Sequence, residues 1–100
     1  MPKLSISIPH ELSSEEATER VTRLADKIYE RYKDQAKDIE HSWVDNTLTY
    51  SFRSMGMSFK GDMIVEDSEV KVNGELPFAA MMFKGKIETA VREQMAKTLG

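Results

Sequence analysis

The sequence predicts an α+β fold, a two-layer sandwich in which a five-stranded antiparallel sheet carries two helices on one face, in the order β-α-β-β-β-β-α. Three observations carry this reading. Apolar residues alternate with polar ones at Leu4, Ile6 and Ile8 and again through residues 39–76, the two-residue period of strands. They recur every three or four residues over 17–32 and 80–95, the period of helices. The strand-rich middle is cut by short turn signals and no long linker, so residues 1–100 are read as a single domain with a single core.

The first strand holds Leu4, Ile6 and Ile8 on one face and Ser5 and Ser7 on the other, and Pro9 ends it. Ser13-Ser14-Glu15-Glu16 reads as a capping box, with Ser13 accepting from the backbone near Glu16 and Glu16 reaching back to Ser13. The helix behind it carries Ala17, Val21, Leu24, Ile28 and Tyr32 in one stripe that fades at Lys33-Asp34-Gln35.

Ile39, His41 and Trp43 share the inner face of the second strand, and Asp45-Asn46 supplies a tight hairpin turn. Leu48, Tyr50 and Phe52 form the apolar face of the returning strand, and Met55-Gly56 turns the chain again. Met57, Phe59, Gly61, Met63 and Val65 face inward on the fourth strand. After the turn at Glu66-Asp67-Ser68, Val70, Val72 and Leu76 do so on the fifth. The last element is a helix over about Phe78 to Thr98 with the core stripe Ala80, Phe83, Ile87, Val91 and Met95. Placing the first strand beside the fifth makes every neighbouring pair antiparallel, which gives the strand order 1-5-4-3-2.

Composition excludes several functions. Net charge is −3, and the 14 Lys and Arg residues are scattered along the chain, so nucleic acid is not an expected partner. The absence of cysteine removes disulfides, thiolate chemistry and cysteine-based metal centres. The N-terminal stretch lacks the continuous apolar run of a leader, and no segment approaches the ~20 apolar residues of a membrane span. A soluble, cytoplasmic protein is expected.

Catalytic chemistry finds little support. His10 reads as an exposed loop residue, His41 as a satisfied histidine at the sheet margin, and neither has a second metal ligand at helical or loop spacing. Asp62, Glu66, Asp67 and Glu69 lack the ligand pattern of a calcium loop, and the glycines build no phosphate cradle. Lys84 lies near the core stripe of the last helix, where its stem can cover apolar surface. No base and nucleophile pair up, so no catalytic residue, metal or cofactor is expected, and the protein is read as not an enzyme.

Two sets of residues stand out instead. At 100° per residue Phe78 and Met82 fall opposite the Ala80 and Ile87 stripe, with Met81 on its flank, so the last helix would begin with a second apolar face. Either this first turn is buried all round, tucked under the loop from Leu76 and Pro77, or it is a contact for another subunit, a partner or an apolar particle. Adaptable methionines suit such a contact, and a C2 homodimer is the simplest cover. The second set is Tyr50, Phe52, Phe59 and Met63, which would line a ligand cavity under the last helix; Gly61 and Gly74 either let that helix pack closely or make room for the ligand.

The run from Leu76 to Glu88, Leu-Pro-Phe-Ala-Ala-Met-Met-Phe-Lys-Gly-Lys-Ile-Glu, carries a family resemblance together with the opening Ile-Ser-Ile-Pro-His, Glu15 to Ala17 and the Trp43 to Asn46 hairpin. In these residues the chain resembles, from end to end, the polyhydroxyalkanoic acid system proteins, small bacterial proteins encoded in regions for polyhydroxyalkanoate storage granules. The resemblance implies a context, contact with the granule or a granule protein, and brings no catalytic motif. The architecture is also similar to a shortened helix-grip fold of START-like lipid-binding proteins, which implies an acyl or hydroxyacyl ligand between sheet and C-terminal helix.

Overall fold

In the computed structural model, which describes residues 3–100, the chain forms β1 (Lys3–Pro9), α1 (Ser14–Tyr32), β2 (Lys37–Val44), β3 (Thr47–Ser54), β4 (Met57–Val65), β5 (Glu69–Glu75), a 3-10 segment (Phe78–Phe83) and α2 (Lys84–Leu99). Met1 and Pro2, which open the stretch read above for a leader, lie outside the described residues. The strands make one antiparallel sheet in the order β1-β5-β4-β3-β2, as the alternation and the turns predict. Both two-residue turns use left-handed backbone: Asp45 has φ 54°, and Met55 and Gly56 have φ 54° and 77°, the pattern that matches the twist of paired strands.

Register divides the inner face into rows that cross the sheet. Val65, Val70 and Ile8 form one row; Trp43, Leu48, Met63, Val72 and Ile6 the next; His41, Tyr50, Gly61, Gly74 and Leu4 the third. Phe52 and Phe59 make a fourth row, their rings stacked with centroids 5.0 Å apart. The helices concentrate on the first two rows: Ala17, Val21, Leu24, Met95 and Leu99 close over Ile6, Ile8, Leu48, Val65, Val70 and Val72 in one buried cluster. Each Val, Leu, Ile or Met side chain in it contributes about 1.5–3 kcal/mol by leaving water.

α1 starts where β1 ends, with Glu16 N–H donating to Ser13 Oγ at 3.1 Å. The capping box is half formed, because the Glu16 carboxylate turns to Arg20 at 3.1 Å instead of back to Ser13. α2 runs antiparallel to α1, and Arg20 ties the two by donating to the Thr98 and Gly100 carbonyls at 3.3 and 2.8 Å. Its sheet contacts run along β1, the edge strand, while α1 lies toward β4. The molecule therefore has a packed end, where β1 finishes and α1 starts, and an open end, where β5 finishes and α1 stops.

Three expectations change at this level. The start of the last helix is 3-10, and Phe83, expected in the core stripe, is 52% exposed because the chain changes helical period there. Ile28 and Tyr32 share the α1 stripe but project past the packed rows and stay exposed. His10 is buried, not an exposed loop residue. Leu12 N–H donates to its Nδ1 at 3.1 Å, so Nε2 carries the proton and donates to the Glu66 carbonyl at 2.9 Å, which pins the loop after β1 to the β4–β5 turn.

The two glycines of the third row are not equivalent. A Cβ on Gly61 would collide with the Asn73 carbonyl and come within 2.6 Å of the Tyr50 hydroxyl, whereas one on Gly74 would meet nothing closer than 3.6 Å. Gly61→Ala is expected to destabilise the fold by about 2 kcal/mol or more and Gly74→Ala by well under 1 kcal/mol, read as urea midpoints. Equal costs would contradict this packing.

Candidate functional site

The 3-10 segment follows Pro77, which fixes the entry angle with φ −66°, and its first hydrogen bond runs from Ala80 N–H to the Pro77 carbonyl at 2.9 Å. No side chain caps it and none caps α2, whose preceding residue is Phe83. Of its six residues only Ala80 is buried. Phe78 is 75% exposed, Met82 88% and Met81 51%. In a 3-10 helix residues three apart eclipse, so Phe78 and Met81 stand one above the other. Each apolar side chain left outside forgoes about 1.5–3 kcal/mol of burial, so these residues are not placed for folding.

A second apolar feature lies between the C-terminal half of α1 and the inner face of β3 and β2. It is an open groove of about 550 Å³, floored by Leu48, Tyr50, Phe52 and Met63 and walled by Ile28, Tyr29 and Tyr32. Of the residues expected to line a cavity, Tyr50, Phe52 and Met63 do so. Phe59, Gly61 and Gly74 do not, because the groove opens toward β2 and its roof is α1, not the C-terminal helix. The space above the two glycines is taken by the Tyr50 phenol, whose hydroxyl donates to the Asn73 carbonyl at 3.2 Å. His41 shares the inner face through its pairing with Tyr50, but β2 runs beyond the helices and leaves the imidazole exposed at the groove margin.

The electrostatics of the groove centre on Tyr50. Burial pushes its pKa above the ordinary 10.0, and the Asp62 carboxylate adds to the rise. Among the described residues, no three His, Asp or Glu side chains converge as they would around a metal ion. Asp62 is engaged on the outer face, where it accepts from Asn73 at 2.9 Å, and Asn73 accepts from Ser5 at 3.0 Å. Among the described residues no helix is long and apolar enough to cross a membrane.

Fold and site together define a small α+β protein that offers apolar surface at one end. The family model described as putative polyhydroxyalkanoic acid system protein matches residues 4–99, and the chain belongs to that family. No curated protein matches the chain. Sequence reasoning singled out Phe78, Met81 and Met82 but missed the groove wall of Ile28, Tyr29 and Tyr32. The signal was there in two tyrosines and an isoleucine near the end of an amphipathic helix, where the sheet beneath is partly uncovered.

The raised pKa of Tyr50 sets a sign. The folded state holds the phenolic proton more tightly than the unfolded chain, so the associated stability is complete below pH 10 and is lost as pH rises through the higher folded value. Tyr50→Phe should cost about 0.5–1.5 kcal/mol at pH 7 through the lost hydrogen bond. Above pH 10 its stability should fall less steeply than that of the wild type in urea titrations at stepped pH. Parallel curves would mean that the hydroxyl is not held as described.

Proposed function

We propose that this protein is a non-enzymatic accessory protein of polyhydroxyalkanoate storage metabolism that contacts the storage granule, or a protein on it, through Phe78, Met81 and Met82. The observation that carries the reading is the exposure of these side chains on a short segment whose one buried residue, Ala80, fixes it to the body. Family membership supplies the context. Phenylalanine and methionine side by side suit an apolar surface of irregular shape, because the thioethers adapt their rotamers to it.

The double variant Phe78→Glu with Met82→Glu should fold normally, since both side chains are largely outside, and should lose at least about tenfold in partitioning to granules. Co-sedimentation of a tagged copy with isolated granules, alongside circular dichroism, reads both. Wild-type partitioning by the folded variant would remove the surface from the reading.

The groove favours a second reading, a carrier of an acyl or hydroxyacyl group. Its volume of about 550 Å³ lies in the range of small-molecule sites, and its floor is almost wholly apolar. Native mass spectrometry of purified protein offered medium-chain fatty acids should show one-to-one complexes, weakened several-fold by Met63→Glu. Repeated spectra of bare protein would eliminate the carrier.

A further inference from the structure

We infer that the open end of the molecule docks on a lipid surface bearing anionic headgroups, with the 3-10 segment and Met55 entering the apolar layer and Lys84, Lys86, Lys37 and Arg53 meeting the headgroups. The inference rests on the contact reading above and deepens it by assigning the surface a charge.

The first ground is where the exposed apolar side chains lie. Besides Phe78 to Phe83 they include Ile28, Tyr29 and Tyr32 in the second half of α1, and Met55, 91% exposed at the tip of the β3–β4 hairpin. β4 pairs with β5 only as far as Lys60 opposite Glu75, so that hairpin projects past the end of β5, on the side where the 3-10 segment leaves the sheet. Among the described residues, Val44 is the one large exposed apolar residue that lies elsewhere.

The second ground is charge. The chain carries −3 in total, and its cations look scattered in sequence. The fold gathers several of them at the open end, although Lys97 near the packed end also makes no ion pair among the described residues. Near the packed end Arg20 pairs with Glu16 at 3.1 Å, Arg23 with Glu19 at 3.6 Å, and Lys71 with Glu66 and Glu69 at 3.5 and 3.9 Å. At the open end Lys33 and Lys60 are neutralised by Glu30 and Glu75, but Lys37, Arg53, Lys84 and Lys86 make no ion pair among the described residues. Two of these placements oppose folding. Lys37 and Arg53 stand directly opposite each other on paired strands, where like charges repel. Lys84 and Lys86 occupy the first turn of α2, which has no acidic residue, although the helix dipole disfavours cations there. Cations held where the monomer gains nothing from them are available to an external anion.

The same arrangement argues against the other occupants. A C2 dimer through this end would press its unpaired cations against their own copies. An uncharged polymer would desolvate them without compensation. A lipid layer with anionic headgroups meets both the apolar residues and the surrounding cations, as in other proteins that lie on membrane surfaces. Glu11, Glu15, Glu19, Asp67 and their neighbours make the packed end acidic, which orients the approach with the open end first. Asp34, Asp38 and Glu88 sit among the open-end cations, so the expected charge selectivity is about tenfold and not several decades.

The test is sedimentation of the full chain with vesicles of phosphatidylcholine alone and with vesicles containing about one-third phosphatidylglycerol. Binding should be about tenfold tighter to the anionic vesicles and should weaken steeply toward roughly 0.5 M salt, where the Debye length has shrunk to a few ångströms. The Lys84→Glu and Lys86→Glu double variant should lose about tenfold on anionic vesicles while its Tm holds or rises, since acidic residues suit a helix start. Equal binding to both vesicle types without salt dependence would overturn the charge assignment and leave the apolar contact standing. Binding to isolated granules but to neither vesicle would overturn the lipid assignment while preserving the proposed function. A salt-insensitive dimer in sedimentation equilibrium that Met82→Glu dissolves would overturn the inference in favour of a second copy.

Discussion

The two helices sit off-centre on the inner face of the sheet, and most of what is distinctive in this molecule follows from that displacement. Five strands at about 4.8 Å spacing present roughly 19 Å of sheet, and two helices packed side by side could in principle span it. Here α2 lies along the β1 edge and α1 toward β4, so the helical layer is displaced to one side. The strip over β3 and β2 is left as a groove, while Trp43, half-buried on β2 opposite Leu48, packs against the core cluster. The cost is borne by Ile28 and Tyr32, which carry helical periodicity but have too little beneath them to be buried.

The third row of the sheet shows how the fold limits that loss. A side chain on Gly61 would compete with Tyr50 for the same volume, and its absence lets the phenol lie across the neighbouring strand and reach the Asn73 carbonyl. An aromatic ring over cross-strand glycine restores packing that the glycine alone would forfeit. This separates the well-packed rows from the stacked Phe52 and Phe59 beyond them. The exposed apolar surface and the structural core can then differ in composition.

Much of this architecture was legible in the sequence, and the reasons are local. Alternation at Leu4 to Ile8 and through the meander set which face was inward, and Asp45-Asn46 and Met55-Gly56 set the turns, so register and strand order followed. The 3-10 segment was not legible, because counting at 100° per residue assumes an α-helix from its first residue. The missing cue was the lack of any Ser, Thr, Asp or Asn between Pro77 and Lys84 to start one. His10 was misread for another reason. A histidine between Pro9 and Glu11 looks like an exposed turn, and only the tertiary fold brings the Glu66 carbonyl to its ring. The groove depended on where the helices sit across the sheet, which periodicity does not encode.

The pairing of β1 with β5 has a consequence in time as well as in space. β1 bonds along its whole length to a strand that follows it by sixty residues or more, Lys3 with Glu75 through Pro9 with Glu69. While the meander β2 to β5 can close by short hairpins, Leu4, Ile6 and Ile8 have no strand partner until β5 has left the ribosome. Long-range closure of this kind slows folding relative to local pairing. The newborn chain is thus an apolar strand and an amphipathic helix waiting on their own C-terminal half. Ser5 and Ser7, on the opposite side of that strand, give it a polar flank during the wait.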